Sequence, residues 1–332
     1  MLSRVLSACL VSVLLIPSIS HAEWFWYSGT AMTTRIELQL WSDDQATADS
    51  ASEAVFAEFD RINQRMTRYS EDSELSLVNR EAGERPVEVS DSLFRVIEEA
   101  QRVSKLSNGA FDISFGSVGF LYDYRELKQP TDTEVAERLQ HVSFRDIVLD
   151  AEKQTVAFRK PRMKLDLGGI AKGYAVDRGI GILKARGIHH ARLSAGGDMR
   201  LLGDKRGSPW VVGVRDPRSE DSNAVVLPVS DLALSTSGDY ERFFIDEAGN
   251  RIHHILSPET GRPAKGIQSV TVMGPDALTT DGLSTAVFVL GVEKGLAMIN
   301  GLNGIDAIII DENRDMHYSQ GLAAPEAVDS TP

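Results

Sequence analysis

Cysteine is almost missing from this sequence: Cys9 is the one example in 332 residues. It lies in an apolar N-terminal stretch, so a chain that loses that stretch has no disulfide, thiolate metal site or thiol nucleophile. Long apolar runs are missing too. Nothing beyond the N-terminus approaches the roughly 18 apolar residues of a membrane-spanning helix. Positive charge is in deficit, with 35 Lys and Arg against 48 Asp and Glu and a net charge of −13. Such a surface repels phosphate backbones, which argues against a nucleic-acid partner. An anionic small ligand would need a local counter-charge from a divalent cation, a lysine or a helix N-terminus. Neither G-x-G-x-x-G nor G-x-x-x-x-G-K-[ST] occurs, which disfavours a Rossmann dinucleotide site and a P-loop. The nucleophile elbow G-x-S-x-G is absent as well.

The first 22 residues have the order of an export signal. Arg4 is the basic start, Val5 to Ile16 is an apolar run too short for a bilayer, Pro17 breaks it, and Ser20-His21-Ala22 offers small residues for cleavage. Residues 1–22 are therefore expected to be a signal peptide and the mature protein periplasmic. Leu6-Ser7-Ala8-Cys9 looks like a lipoprotein box, but it sits close to Arg4 with the longer apolar run after it, and reads as a decoy.

Hydrophobic spacing sets the expected elements. Ile36, Leu38 and Leu40 alternate in a half-buried strand over 34–41, and Ala51, Val55, Phe59, Ile62 and Met66 take helical spacing over 46–66. A helix capped near Ser90-Asp91-Ser92 runs through Val103 and stops before Asn108-Gly109. Residues 146–149 and 154–158 read as a hairpin, and Ile170 to Arg186 as a helix ending at Gly187. Short strands follow near 190–195, 199–202, 210–215, 224–230, 232–236, 241–246 and 268–273, then helices over 276–290 and 293–301 and a buried strand over 305–310. Residues 23–30 are aromatic and expected at the domain edge. Grouped helices and short-turn strands predict an α+β fold with mainly antiparallel sheets flanked by helices. One domain is expected over 23–321, with a disordered tail over 322–332.

Four clusters have chemical content. In KLDLGGIAKGYAVDRG, Asp166 is expected to end a strand, Gly168-Gly169 lets the backbone approach a ligand, and Lys172 lies in the first helical turn. A tight turn with a surface lysine is the plain alternative. In TTDGLST, Asp281, Ser284 and Thr285 share a helix face, and oxygen donors there suit a hard cation such as Mg²⁺. The competing reading makes Asp281 an N-cap with solvated hydroxyls. In HHILSPETGRP, the prolines and Thr-Gly fix a loop, and His254 is a candidate general base or phosphate contact. The adjacent His253 would face the other way, against a two-histidine metal site. SAGGD and STSGDY are small-residue turns carrying an acid, with only weak signals of their own.

Taken together and in order, the phrases GTAMTTR, MTRYSEDSELSLVN, GAFDISFG, LDLGGIAKGYAVD, SAGGDMRLLG, STSGDYERFF, HHILSPETGRPA and DALTTDGLSTAVFVLG closely resemble the ApbE family of FAD:protein FMN transferases. The resemblance runs from Gly29 to Gly291. It implies an ApbE-like, T-fold-like domain that moves the FMN half of FAD to a Thr or Ser hydroxyl of a partner protein, needs Mg²⁺ and releases AMP. It implies contacts to the dinucleotide from Met32, Tyr69, Ala110, Phe111, Asp112, Asp166, Lys172 and Ile255. It implies a metal held by the Gly169 carbonyl, Asp281 and Thr285, with Ser284 where some members have a second Asp. The expected acceptor is an exported flavoprotein subunit of an NADH:quinone reductase or RNF complex. An FAD pyrophosphatase and a non-catalytic FAD-binding protein are the rival readings. The segment SFGSVGFLYDY departs from the family's usual continuation after GAFD by lacking an Asn and a Trp.

Overall fold

The computed structural model describes residues 22–219 and 221–322; Cys9, most of the expected signal peptide and nearly all of the expected tail lie outside the described residues. Eight antiparallel strands make the main sheet: β1 (Glu23–Ala31), β2 (Thr34–Ser42), β6 (Ala191–Ala195), β7 (Asp198–Leu202), β10 (Ala233–Gly238), β13 (Ile267–Gly274), β14 (Asp306–Asp311) and β15 (Met316–Tyr318), adjacent in that order. A small sheet joins β3 (Val87–Glu88), β5 (Thr155–Phe158) and β4 (Ile147–Asp150), while β8 (Trp210–Arg215) with β9 (Asn223–Val229) and β11 (Phe243–Ile245) with β12 (Arg251–His253) form two hairpins. The helices are α1 (Gln45–Met66), α2 (Glu74–Glu81), α3 (Asp91–Leu106), α4 (Gly116–Gly119), α5 (Asp132–Leu139), α6 (Ala171–Ala185), α7 (Ala277–Leu290) and α8 (Val292–Asn300). The α+β class expected from the sequence is the observed one. Among the described residues no helix is long and apolar enough to cross a membrane.

Strand alternation builds two cores. Ala191, Leu193, Ala233, Val270, Val272, Ala307 and Ile309 face the helices, with Val55, Phe59, Ala175, Leu283 and Val287. Their neighbours Leu201, Leu234, Met273 and Ile308 face the other way, against Trp210, Val212 and Val214 of the β8–β9 hairpin. Every residue of β13 is buried as a result, the pattern of a strand covered on both faces.

Local chemistry fixes the helix ends. Ser90 caps α3 by accepting from the Leu93 N–H. Gly187 (φ 75°) closes α6: its N–H donates to Lys184 O and the Ile188 N–H to Leu183 O, the double bond of a Schellman end. Asp276, not Asp281, caps α7, accepting from the Thr279 N–H at 2.8 Å. Asp177 accepts from the next free donors, Ala277 and Leu278.

Two segments that the sequence left without an element have one, and one expected strand is absent. Residues 23–31 are a full edge strand. Residues 74–81, unassigned in the sequence reading, form α2. The segment before Asp166 is not a strand: Lys164 to Leu167 bonds to side chains and a turn, with Leu165 held at both its N–H and carbonyl by the Asn79 amide. Apolar alternation buries Leu165 and Leu167 but supplies no partner strand.

Candidate functional site

The sheet's β1–β2, β6–β7 and β10 turns, the Lys164–Ala171 segment and the loop after β12 converge on one cleft of about 390 Å³, a size that holds small-molecule ligands. Met32, Tyr69, Ala110, Phe111, Asp112, Asp166, Gly169, Lys172, His254, Ile255, Asp281 and Thr285 all line it. Ser284 alone of the sequence-predicted site residues does not. Its hydroxyl points back to the Asp281 carbonyl (2.9 Å) and to Ser237 Oγ (2.9 Å).

Glycine brings the two halves of the site together. The start of α6 lies on α7 so closely that a Cβ on Gly173 would sit 2.1 Å from Ala277 O and 2.8 Å from Asp281 Cβ. One turn earlier, a Cβ on Gly169 would sit 3.2 Å from Thr285 Oγ1. Asp281 and Thr285, one turn apart on α7, therefore face Gly173 and Gly169. Among the residues that cap α6, Ile170 offers no side-chain acceptor; Asp281 Oδ2 takes the Gly173 N–H instead at 3.0 Å.

The charges here are buried and unequal. Lys172 Nζ lies 2.6 Å from Asp198 Oδ2 and 3.6 Å from Asp281 Oδ2. Burial works against the ammonium, but the two carboxylates outweigh it and hold its pKa above the ordinary lysine value. Asp281 and Asp198 are 3% and 2% exposed, with one lysine between two acids. Burial, then the Asp198 charge, pushes the Asp281 carboxyl up to about 7 despite Lys172 and the Gly173 N–H. An acid raised this far is short of positive charge. The donors beside it are a hydroxyl (Thr285) and a glycine turn able to present a carbonyl, hard oxygens of the kind Mg²⁺ takes along with water. The residues present thus fit a magnesium ion. Among the described residues no three His, Cys, Asp or Glu side chains form a metal-binding group, so such an ion would depend on hydroxyl, carbonyl and water oxygens.

His253 and His254 separate as strand alternation requires. His253 is buried, donates from Nε2 to Ala264 O (2.9 Å), accepts at Nδ1 from the Ile255 N–H, and packs edge-on against Phe288. His254 faces the cleft. Its Nδ1 lies 3.3 Å from Arg242 O; a carbonyl only accepts, so Nδ1 carries the proton and Nε2 keeps its lone pair. Burial, then Arg242, His253 and Lys172, lowers its pKa to about 3, and the ring is neutral at physiological pH. The loop behind it is rigid: Gly261 (φ 66°) donates to Ser257 O and its carbonyl accepts from Tyr122 Oη.

Other predicted contacts differ in kind. Tyr69 is 69% exposed at the rim, with the Arg68 guanidinium over its ring. Phe111 is 4% exposed, so it is mainly core with one edge at Gly169. Asp112 is a buried cap: it accepts from the Ser114 and Phe144 N–H groups and Ser114 Oγ, and burial raises its pKa. Asp166 accepts from the Gly168 N–H and pairs with Arg68 at 3.3 Å. Sequence reasoning missed Arg68, Asp198 and Arg242 as cleft residues; the SAGGD and STSGDYERFF phrases carried two of them.

Comparison with known proteins gives a consistent result. The model of the ApbE family matches residues 32–309. An FAD:protein FMN transferase of Klebsiella pneumoniae (strain 342) is 34% identical over 298 residues, covering 88% of this chain and 91% of the relative. One from Vibrio cholerae is 34% identical over 319 residues, covering 92% and 93%. Among solved structures, the ApbE protein of Thermotoga maritima superposes with a TM-score of 0.83 at 33% identity, over 90% of this chain and 98% of that one. The flavin transferase ApbE of Vibrio cholerae gives 0.81 at 29% identity, with the same coverage.

Proposed function

The chain belongs to the ApbE family and is a flavin transferase, and from that premise we propose that its cleft binds FAD with Mg²⁺, passes FMN to a Thr or Ser hydroxyl of an acceptor protein and releases AMP. The observation that carries the metal-dependent part is the buried Asp281, raised to about 7 beside Asp198 and facing Thr285 and the Gly169 turn. Gly169, Asp281 and Thr285 would hold the ion, with Ser284 behind them orienting the helix face. The ion would supply positive charge to the diphosphate.

The chain's own residues do the rest. Met32, Tyr69, Ala110 and Ile255 border the space for the rings, with Phe111 as its floor. Asp166, tied to Arg68 and the Gly168 N–H, fixes the turn that leads into α6, and Asp112 holds the Ala110–Ser114 turn. The acceptor hydroxyl attacks the FMN phosphorus, the phosphorus–oxygen bond to AMP breaks, and the hydroxyl proton passes to His254 Nε2. Burial first and positive neighbours second depress His254, and a bound diphosphate offsets the neighbours' part and so raises its pKa. The acceptor is an exported flavoprotein subunit of a membrane redox complex, and the transferase acts in the periplasm.

The test mixes the protein with FAD, Mg²⁺ and a threonine-bearing acceptor. Flavin fluorescence that stays with the denatured acceptor supports transfer. FMN found only free in solution would replace transfer by hydrolysis, and intact FAD would leave a binding protein.

A further inference from the structure

Among the described residues, three cations line the cleft: Arg68, Lys172 and Arg242. Two are already neutralised. Arg68 pairs with Asp166 and stacks on Phe120 and Tyr69. Lys172 is shared by Asp198 and Asp281. Arg242 is different. Among the described residues its guanidinium makes one long polar contact, Nη2 to Thr33 Oγ1 at 3.4 Å, and the adjacent Glu241 is bound by Arg215 instead. In a chain of net charge −13, a cleft arginine left without a carboxylate retains its full charge for a ligand.

Its position gives that charge a target. The Arg242 carbonyl accepts from both the His254 N–H and Nδ1, so one residue orients the imidazole through its backbone and presents a guanidinium through its side chain. Across the rim, Thr33 and Met32 hold φ of 60° and 51°, and a β-branched residue in the left-handed region is strained. The guanidinium reaches that turn at Thr33, while its backbone carbonyl holds His254, and all three residues line the cleft. A planar, five-donor cation in this place matches paired phosphate oxygens.

We propose that Arg242 binds the diphosphate of FAD, holding its non-bridging oxygens next to His254. The inference rests on the flavin-transferase reading and assigns that site a phosphate-binding side chain.

The test measures equilibrium binding of FAD, and of riboflavin as its phosphate-free counterpart, to the purified protein in Mg²⁺ by flavin fluorescence over a range of salt. Wild type is compared with Arg242→Gln and Arg242→Lys, all with matching thermal melts. Arg242→Gln is expected to weaken FAD by about tenfold or more, as loss of a charged hydrogen bond does, to flatten the salt dependence, and to leave riboflavin unchanged. Arg242→Lys recovers part of the loss. FAD affinity within about twofold of wild type in Arg242→Gln, or an equal loss for riboflavin, would overturn the assignment while leaving transfer intact. Wild-type protein that binds no FAD would overturn the underlying function, and the assignment with it.

Discussion

His253 and His254 are chain neighbours with separate physical lives. One has both ring nitrogens satisfied in the core; the other has Nδ1 fixed by a carbonyl and Nε2 open to the cleft. Replacing His254 with Gln is expected to slow transfer by about 10² or more, the usual weight of a positioned base, while FAD affinity changes less than about twofold. Single-turnover rates beside equilibrium titrations check this, and an unchanged rate would remove the base. Asp281 makes a second claim at this scale. Its folded pKa, about 7, lies above the ordinary carboxyl value of 3.8, so protonation favours the folded state. The associated stability is full below about pH 4 and is lost as pH rises through about 7. In chelator, wild type should therefore melt progressively lower from pH 5 to 8 than Asp281→Asn does at the same pH. Parallel melting curves for the two proteins would show that the carboxyl is not raised.

At the scale of elements, the site depends on how closely α6 can lie on α7. Gly173 has no room for a methyl, whereas Gly181 on the same helix has no atom within 4 Å of its would-be Cβ. Gly173→Ala should cost about 1–3 kcal/mol through overpacking and reduce transfer by moving Asp281. Gly181→Ala should add about 0.5–1 kcal/mol through helix propensity. Urea unfolding of the pair checks both, and equal effects would mean that the helix contact is loose. The long elements were legible because period and caps agreed: α1, α3, α6 and β2 fall within a residue or two of their expected bounds. The Lys164–Leu167 segment was not, since its apolar alternation reports burial, while its hydrogen-bond partners come from Asn79 and Ser117 far along the chain. The same limit hid Asp198. SAGGD reads as a turn, and only the pairing of β7 beside β6 and β10 carries its acid to Lys172. Asp281 was legible as a helix-face oxygen, but its partner, the unsatisfied N-terminus of α6, was not.

Over the whole molecule, acidity and function are opposed, and the cleft shares the acidity. A surface of net charge −13 resists a nucleotide, and the cleft itself carries Asp112, Asp166, Asp198, Glu241 and Asp281. Binding a diphosphate there requires added positive charge, which under the proposed function a divalent ion at Asp281 and Thr285 would provide. The decisive measurement is the intact mass of a threonine-bearing acceptor after incubation with FAD and the protein, with and without Mg²⁺. Wild type with Mg²⁺ should add one FMN per acceptor, and chelator or Asp281→Asn should leave the acceptor mass unchanged. An equal FMN adduct in chelator, or with Asp281→Asn, would contradict a metal-assisted transfer in this cleft.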